Sequence, residues 1–173
     1  MVTMTDTALT HARAAAERVV DPEMPMLTLA DLGVLRGVDT TDDGTVVVTL
    51  TPTYSGCPAL DEMRHDLRRA LHDAGHERVE VRTTFSPPWS TDWISDEGRR
   101  KLAEAGVAPP DRIGPREVGG PVPLTLAPPS RLVRCPRCGA PETEETSRFG
   151  PTACTALRRC RSCAEPFEHV KEI

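Results

Sequence analysis

Six cysteines carry most of the chemistry this sequence could perform. Cys57 stands alone, and Cys135, Cys138, Cys154, Cys160 and Cys163 crowd into 29 positions. Cys135-Pro136-Arg137-Cys138 and, after 21 residues, Cys160-Arg161-Ser162-Cys163 are two C-x-x-C pairs. Two residues between thiolates let each pair wrap an ion as a knuckle, and two facing knuckles complete a tetrahedral four-sulfur shell. Structural Zn2+ on Cys135, Cys138, Cys160 and Cys163 is the expectation, with an iron–sulfur cluster on the same thiolates as its rival. Three disulfides come last, since no export signal accompanies them. Cys154 is left over, as a spare soft ligand or, preferably, a small strand residue.

Cys57 precedes Pro58, a residue suited to the first position of a helix because its missing N–H would be unpaired there anyway. A thiol at a helix start is drawn toward thiolate by free N–H groups. It could attack a carbonyl, bind a soft metal or pass on iron, or it could fill a turn as a small hydrophobe. His65, His72 and His76 on or after the same helix are the bases a nucleophile would need. Asp21 and Glu23 could bind metal or act as acid and base, although Asp-Pro-Glu is more often a turn that stops a helix. Trp89 and Trp93 could anchor a partner or cap the end of a sheet.

The elements that must position these residues are legible from periodicity and punctuation. Ala8, Ala12, Ala15, Ala16 and Val19 give a first helix over Thr5–Val20, ended by the prolines at 22 and 25. Val34–Asp39 and Thr45–Thr51 are β-branched runs around Asp42-Asp43-Gly44, which predicts an antiparallel hairpin. Leu60, Met63, Leu67 and Leu71 stripe a second helix that Gly75 closes. Val79–Phe85 reads as a third strand, and Ser95 as the cap of a third helix. Residues 1–107 therefore form a small α+β domain. Residues 108–130 hold seven prolines and Gly119-Gly120, a semi-extended linker. Residues 131–173 form a cysteine module with strands at Glu142–Phe149 and Ala153–Arg159. Its only aromatics are Phe149 and Phe167, so it needs a metal to fold.

Composition narrows the function classes. The 173 residues carry a net charge of −5, which argues against nucleic acid or an anionic membrane as partner, and only 3% aromatics, so aliphatic residues must build the core. The cysteine module has eight basic and six acidic residues and no Tyr or Trp for stacking on bases, so its Arg158, Arg159 and Arg161 read as paired or solvated. No apolar run of transmembrane length is present and the first twenty residues lack a secretory core, so the expectation is a cytoplasmic chain. Neither a phosphate-cradling glycine loop nor the paired Glu-x-x-His helices of a di-iron bundle occurs.

The run VVDPEMPMLTLADLGVLRGV, the hairpin and TPTYSGCPAL together resemble the MIP18-like family of iron–sulfur assembly factors. The ending, from CPRCG to TSRFGPTACTALRRCRSCAEPFEHVKEI, is similar to the D-type accessory family of the bacterial phenylacetyl-CoA 1,2-epoxidase. The resemblance implies a MIP18-like α+β domain followed by a zinc ribbon, in a system where other subunits hold the di-iron site and the flavin and iron–sulfur reductase. It implies a non-catalytic accessory subunit or maturation factor of aerobic phenylacetate degradation, with iron or an iron–sulfur cluster as transient cargo. Cys57 matches the family's motif cysteine, Asp21-Pro22-Glu23 its acidic turn, the four C-x-x-C cysteines its ribbon thiolates, and Cys154 the cysteine after Phe-Gly-x-Thr. Pro151 departs from the serine expected in that stretch. Expected partners are the oxygenase or reductase subunits, with a homodimer left open. A structural clamp using Trp89 and Trp93 and a Cys57-dependent thiol enzyme are the alternatives.

Overall fold

The computed structural model describes residues 4–112, 114 and 132–171. Most of the proline-rich stretch expected as a linker, including Gly119-Gly120, therefore lies outside the described residues. The described residues divide into two compact units, one up to Lys101 and the other from Leu102.

The first unit begins with α1 (Met4–Glu17), whose small buried face of Ala12, Ala15 and Ala16 lets the helix lie close to the sheet. The sequence pattern carries this helix to Val20. The structure stops it at Glu17, because the N–H groups of Arg18 and Val19 turn back to the carbonyls of Ala15 and Ala16, three residues away. Strands β1 (Leu35–Thr40) and β2 (Val46–Leu50) form the expected antiparallel hairpin, with Gly44 at φ +79° in its turn. Helix α2 (Leu60–Asp73) buries Met63, Leu67 and Leu71, and Gly75 at φ +90° follows its cap. Strand β3 (Val79–Thr83) then lies parallel to β2, giving the order β1-β2-β3. It ends two residues before Phe85, whose side chain is exposed. A crossover helix between neighbouring strands is what parallel pairing requires.

A 3-10 turn at Thr91–Trp93 leads into α3 (Asp96–Glu104). Ser95 caps α3 as expected: its hydroxyl accepts from the Gly98 N–H at 2.9 Å. Gly98 is also forced by packing, since a Cβ there would lie 2.8 Å from the Asp31 carbonyl oxygen.

In the second unit, β4 (Val107–Ala108), β5 (Thr143–Ser147), β6 (Thr155–Cys160) and β7 (Pro166–Val170) form one sheet in the order β4-β7-β6-β5. The expected boundary between 107 and 108 falls inside β4, whose residues pair in parallel with Glu168 and His169 of β7. Both strands read from the sequence occur as β5 and β6, and β7 is added beside β6. Among the described residues, Ala108, Val133, Cys135, Cys160 and Phe167 form a buried cluster here, with Ala140 against it. Among the described residues no helix is long and apolar enough to cross a membrane.

Candidate functional site

The two cysteine pairs fold as near copies of one another. In the first, the Cys135 N–H donates to the Ala140 carbonyl at 3.0 Å; in the second, the Cys160 N–H donates to the Glu165 carbonyl at 2.9 Å. Each turn reverses on a left-handed residue directly after its second cysteine, Gly139 at φ +74° and Ala164 at φ +60°. The repeated geometry points all four sulfurs at one spot. Ligand atoms of Cys135, Cys138, Cys160 and Cys163 lie within 4.8 Å of one another. Across the knuckles, Cys135 Sγ is 3.7 Å from Cys163 Sγ, and Cys138 Sγ is 3.6 Å from Cys160 Sγ. A tetrahedron of sulfurs about 2.3 Å from a zinc ion has edges of about 3.8 Å, so the four thiols fit a four-sulfur shell. No disulfide joins any of the six cysteines, so the disulfide reading is not realised.

The crowded sulfurs shift one another's acidities. Cys160 is lowered to about 7, first by the backbone N–H of Cys163 and then by that of Ser162. Cys138 accepts from the Ala140 backbone, which lowers it. The crowding of Cys163, Cys160 and Cys135, together with burial, outweighs that and pushes it up to about 12. Four thiolates cannot share so small a volume unless a positive ion offsets their repulsion.

The remaining candidates do not join this cage. Cys154 is buried, its sulfur 3.1 Å from the Thr152 hydroxyl, and stands immediately before β6, outside the four-sulfur group. Asp21 is buried and accepts from the N–H groups of Glu23 and Met24 at 2.9 and 2.7 Å, a turn that caps its own backbone. Burial pushes its carboxyl up despite those two bonds. Burial followed by the nearby Asp21 charge pushes Glu23 up as well. Trp89 is 4% exposed and donates from Nε1 to the Leu32 carbonyl at 2.9 Å. The buried ring ties residue 89 to the loop before β1. Trp93 is half-buried against Gly33, with Arg36 over its ring at 3.6 Å.

Cys57 is half-buried in the loop between β2 and α2. Helix α2 starts at Leu60 and not at Pro58, because Cys57 and Leu60 first close a turn, the Leu60 N–H meeting the Cys57 carbonyl at 3.3 Å. Residue 57 thus stands ahead of the first helical turn, where the helix field has already faded. His72 and His76 lie at the opposite end of α2, about 18 Å along its axis, and His65 is exposed. None of this assembles the base that a Cys57 nucleophile requires.

A polar feature near the start of this loop escapes sequence reading. Leu50 pairs with Thr83, so Thr51 and Thr83 mark the same end of the parallel strands, the end from which the loop to Cys57 departs. Their hydroxyls are buried without a hydrogen-bond partner among the described residues. Crevices at the carboxyl ends of parallel strands are the usual ligand positions of α/β sheets.

Two family models match the chain: "Iron-sulfur cluster assembly protein" over residues 10–82 and "PaaD zinc beta ribbon domain" over residues 120–171. A protein of Escherichia coli (strain K12), named as the putative D subunit of 1,2-phenylacetyl-CoA epoxidase, is 41% identical over 160 residues, 92% of this chain and 90% of its own. The chain belongs to the D-subunit family of phenylacetyl-CoA epoxidases. An "Fe-S protein maturation auxiliary factor" of Porphyromonas gingivalis is 39% identical over 85 residues, 49% of this chain and 80% of its own. The crystal structure of a DUF59 domain from Bacillus anthracis superposes with a TM-score of 0.52 at 26% identity, covering 57% of this chain and 93% of that one. The fold is therefore α+β with a zinc ribbon, as the resemblance implies.

In this member of the family, the arginines of the ribbon are largely committed internally. Arg161 bonds Glu144 at 2.8 Å, Arg158 faces Glu145 at 3.8 Å, and Arg137 meets Glu165 at 2.5 Å. The other residue that sequence reading misses is Asp31. Its carboxylate accepts from the Thr28 N–H at 3.0 Å and pairs with Lys101 at 2.7 Å, tying α3 to the loop before β1. Burial opposes its ionisation, but Lys101 and Thr28 outweigh burial and hold the carboxyl below its ordinary value.

Proposed function

We propose that this chain is an accessory maturation factor of a phenylacetyl-CoA epoxidase, passing iron or an iron–sulfur cluster to the oxygenase or its reductase. The observation that supports it most is the pairing, in one chain, of an iron–sulfur assembly domain with a four-thiol ribbon whose cage leaves Cys57 out. The relatives of the first unit are maturation auxiliary factors by name, so the role is accessory and not catalytic.

Within this reading Cys135, Cys138, Cys160 and Cys163 hold a resident Zn2+ that shapes the ribbon for docking onto a client protein. An ion there supplies charge neutralisation and a fold, and no chemistry is routed through it. Cys57, on a loop anchored by β2 and half open to solvent, takes the cargo as a soft ligand and releases it by ligand exchange with client thiolates. Asp21 and Glu23 serve the turn after α1, and any part they take in transfer is secondary to that. The site of action is the cytoplasm, where thiols stay reduced.

The test is to replace Cys57 by serine in cells carrying the complete epoxidase system. Iron content of the purified oxygenase and reductase, and epoxidase activity, should both fall while the chain keeps its zinc. Undiminished iron loading would refute the transfer role.

A further inference from the structure

A second site with metal-binding chemistry lies in the first unit, far in type from the thiol cage. His11 on α1 and His76, just after α2, face each other with ring centroids 5.8 Å apart and planes inclined by 42°. They line an open depression of about 550 Å³ with Thr7, Ala8 and Gly75. His76 Nε2 is buried and has no hydrogen-bond partner among the described residues. A buried ring nitrogen without a partner is uncommon and calls for a ligand, an ion or a water. The backbone of residue 76 is fixed from behind, since His72 Nδ1–H donates to the His76 carbonyl at 2.9 Å. Gly75, at φ +90° with open space where a side chain would be, leaves the depression clear.

We propose that His11 and His76 form a metal site for a borderline divalent ion of the Ni2+, Co2+ or Zn2+ class. Neutral imidazoles suit these ions, and ring nitrogens bound at about 2.0–2.1 Å can share one ion across this spacing. Water fills the remaining positions, so the site is exchangeable, unlike the all-thiolate cage. Bound there, an ion clamps α1 to the C-terminal end of α2 and satisfies the orphaned nitrogen.

The test uses the full chain with its cage already filled by one equivalent of Zn2+. Ni2+ is then titrated in by calorimetry, with Zn2+ release followed in parallel. One further equivalent should bind saturably at micromolar Ni2+, broadening the imidazole resonances of His11 and His76 and leaving those of His65 sharp. His11→Ala, at an exposed position that cannot unfold the chain, should weaken binding by about 10-fold or more, and His76→Asn likewise. His65→Ala should bind as the parent does. Absence of saturable binding below millimolar Ni2+, unchanged affinity in His11→Ala, or Ni2+ uptake matched by Zn2+ release would each overturn the proposal.

Discussion

The two units solve the problem of holding a cysteine in opposite ways. The first buries Leu27, Leu29, Leu32, Leu50, Leu67 and Leu71 completely, and Cys57 sits on a loop that this aliphatic core merely supports. In the second, Cys135 and Cys160, buried in one cluster with Ala108, Val133 and Phe167, are themselves members of the thiol cage. An ion held by the four sulfurs, as proposed, would thus be part of the ribbon's core and not of the first unit's. On the proposed reading, the contrast teaches where each function can sit: a site that must give its metal up cannot also be what keeps the chain folded.

The hardest blow to this contrast is to remove two ligands at once. Cys138→Ser combined with Cys163→Ser should unfold the ribbon, because a structural zinc contributes on the order of 10 kcal/mol to such modules. Amide exchange should accelerate throughout β6 and β7 and stay slow in β2. A ribbon that remained protected would mean that its core suffices alone. Next in size is Leu67→Ala, which deletes a fully buried side chain of α2 and should lower the stability of the first unit to urea by about 2–5 kcal/mol. Zinc content should not change. A loss of zinc would show that the two cores are one.

Smaller and of opposite sign are the effects of two buried carboxylates flanking the same loop. Asp31 is held below its ordinary value, so it stabilises the fold above the unfolded value of about 3.9 and loses that contribution as pH falls through its folded value. Asp31→Asn should therefore cost about 1–3 kcal/mol near neutrality and nothing in acid. Asp21 is raised, so ionisation costs the folded state. Compared with Asp21→Asn, the parent should gain stability as pH falls through that raised value. Denaturant midpoints across the acid range check both signs. The smallest effect is local to the second knuckle. Ala164→Gly relieves a left-handed alanine and should stabilise the zinc-loaded ribbon by about 1 kcal/mol, read as a higher thermal midpoint.

The elements that sequence shows well are those whose signals are local. Asp42-Asp43-Gly44 announces the hairpin, Ser95 its helix and Gly75 the end of α2, since each residue acts on its own backbone. The cage is legible for the same reason, because C-x-x-C spacing is itself the geometry of a knuckle. What is hidden depends on distant partners. Trp89 reads equally as a partner anchor or a sheet cap, and nothing local announces that its ring nitrogen meets the Leu32 carbonyl, far away in sequence. Asp31 looks like one more loop acid until Lys101 reaches it. Ala164 gives no sign of its left-handed conformation, because glycine does that work at the equivalent position 139. Cys57 precedes a helix, yet that helix begins later than Pro58 suggests.

The most direct test of the central claim is elemental analysis of the purified chain and its cysteine variants, expressed with the other epoxidase components. One zinc per chain should persist in Cys57→Ser and vanish in the Cys138→Ser, Cys163→Ser pair, with iron recovered only when Cys57 is intact. Zinc lost with Cys57, or iron retained in the cage without it, would contradict the division of labour between the two units.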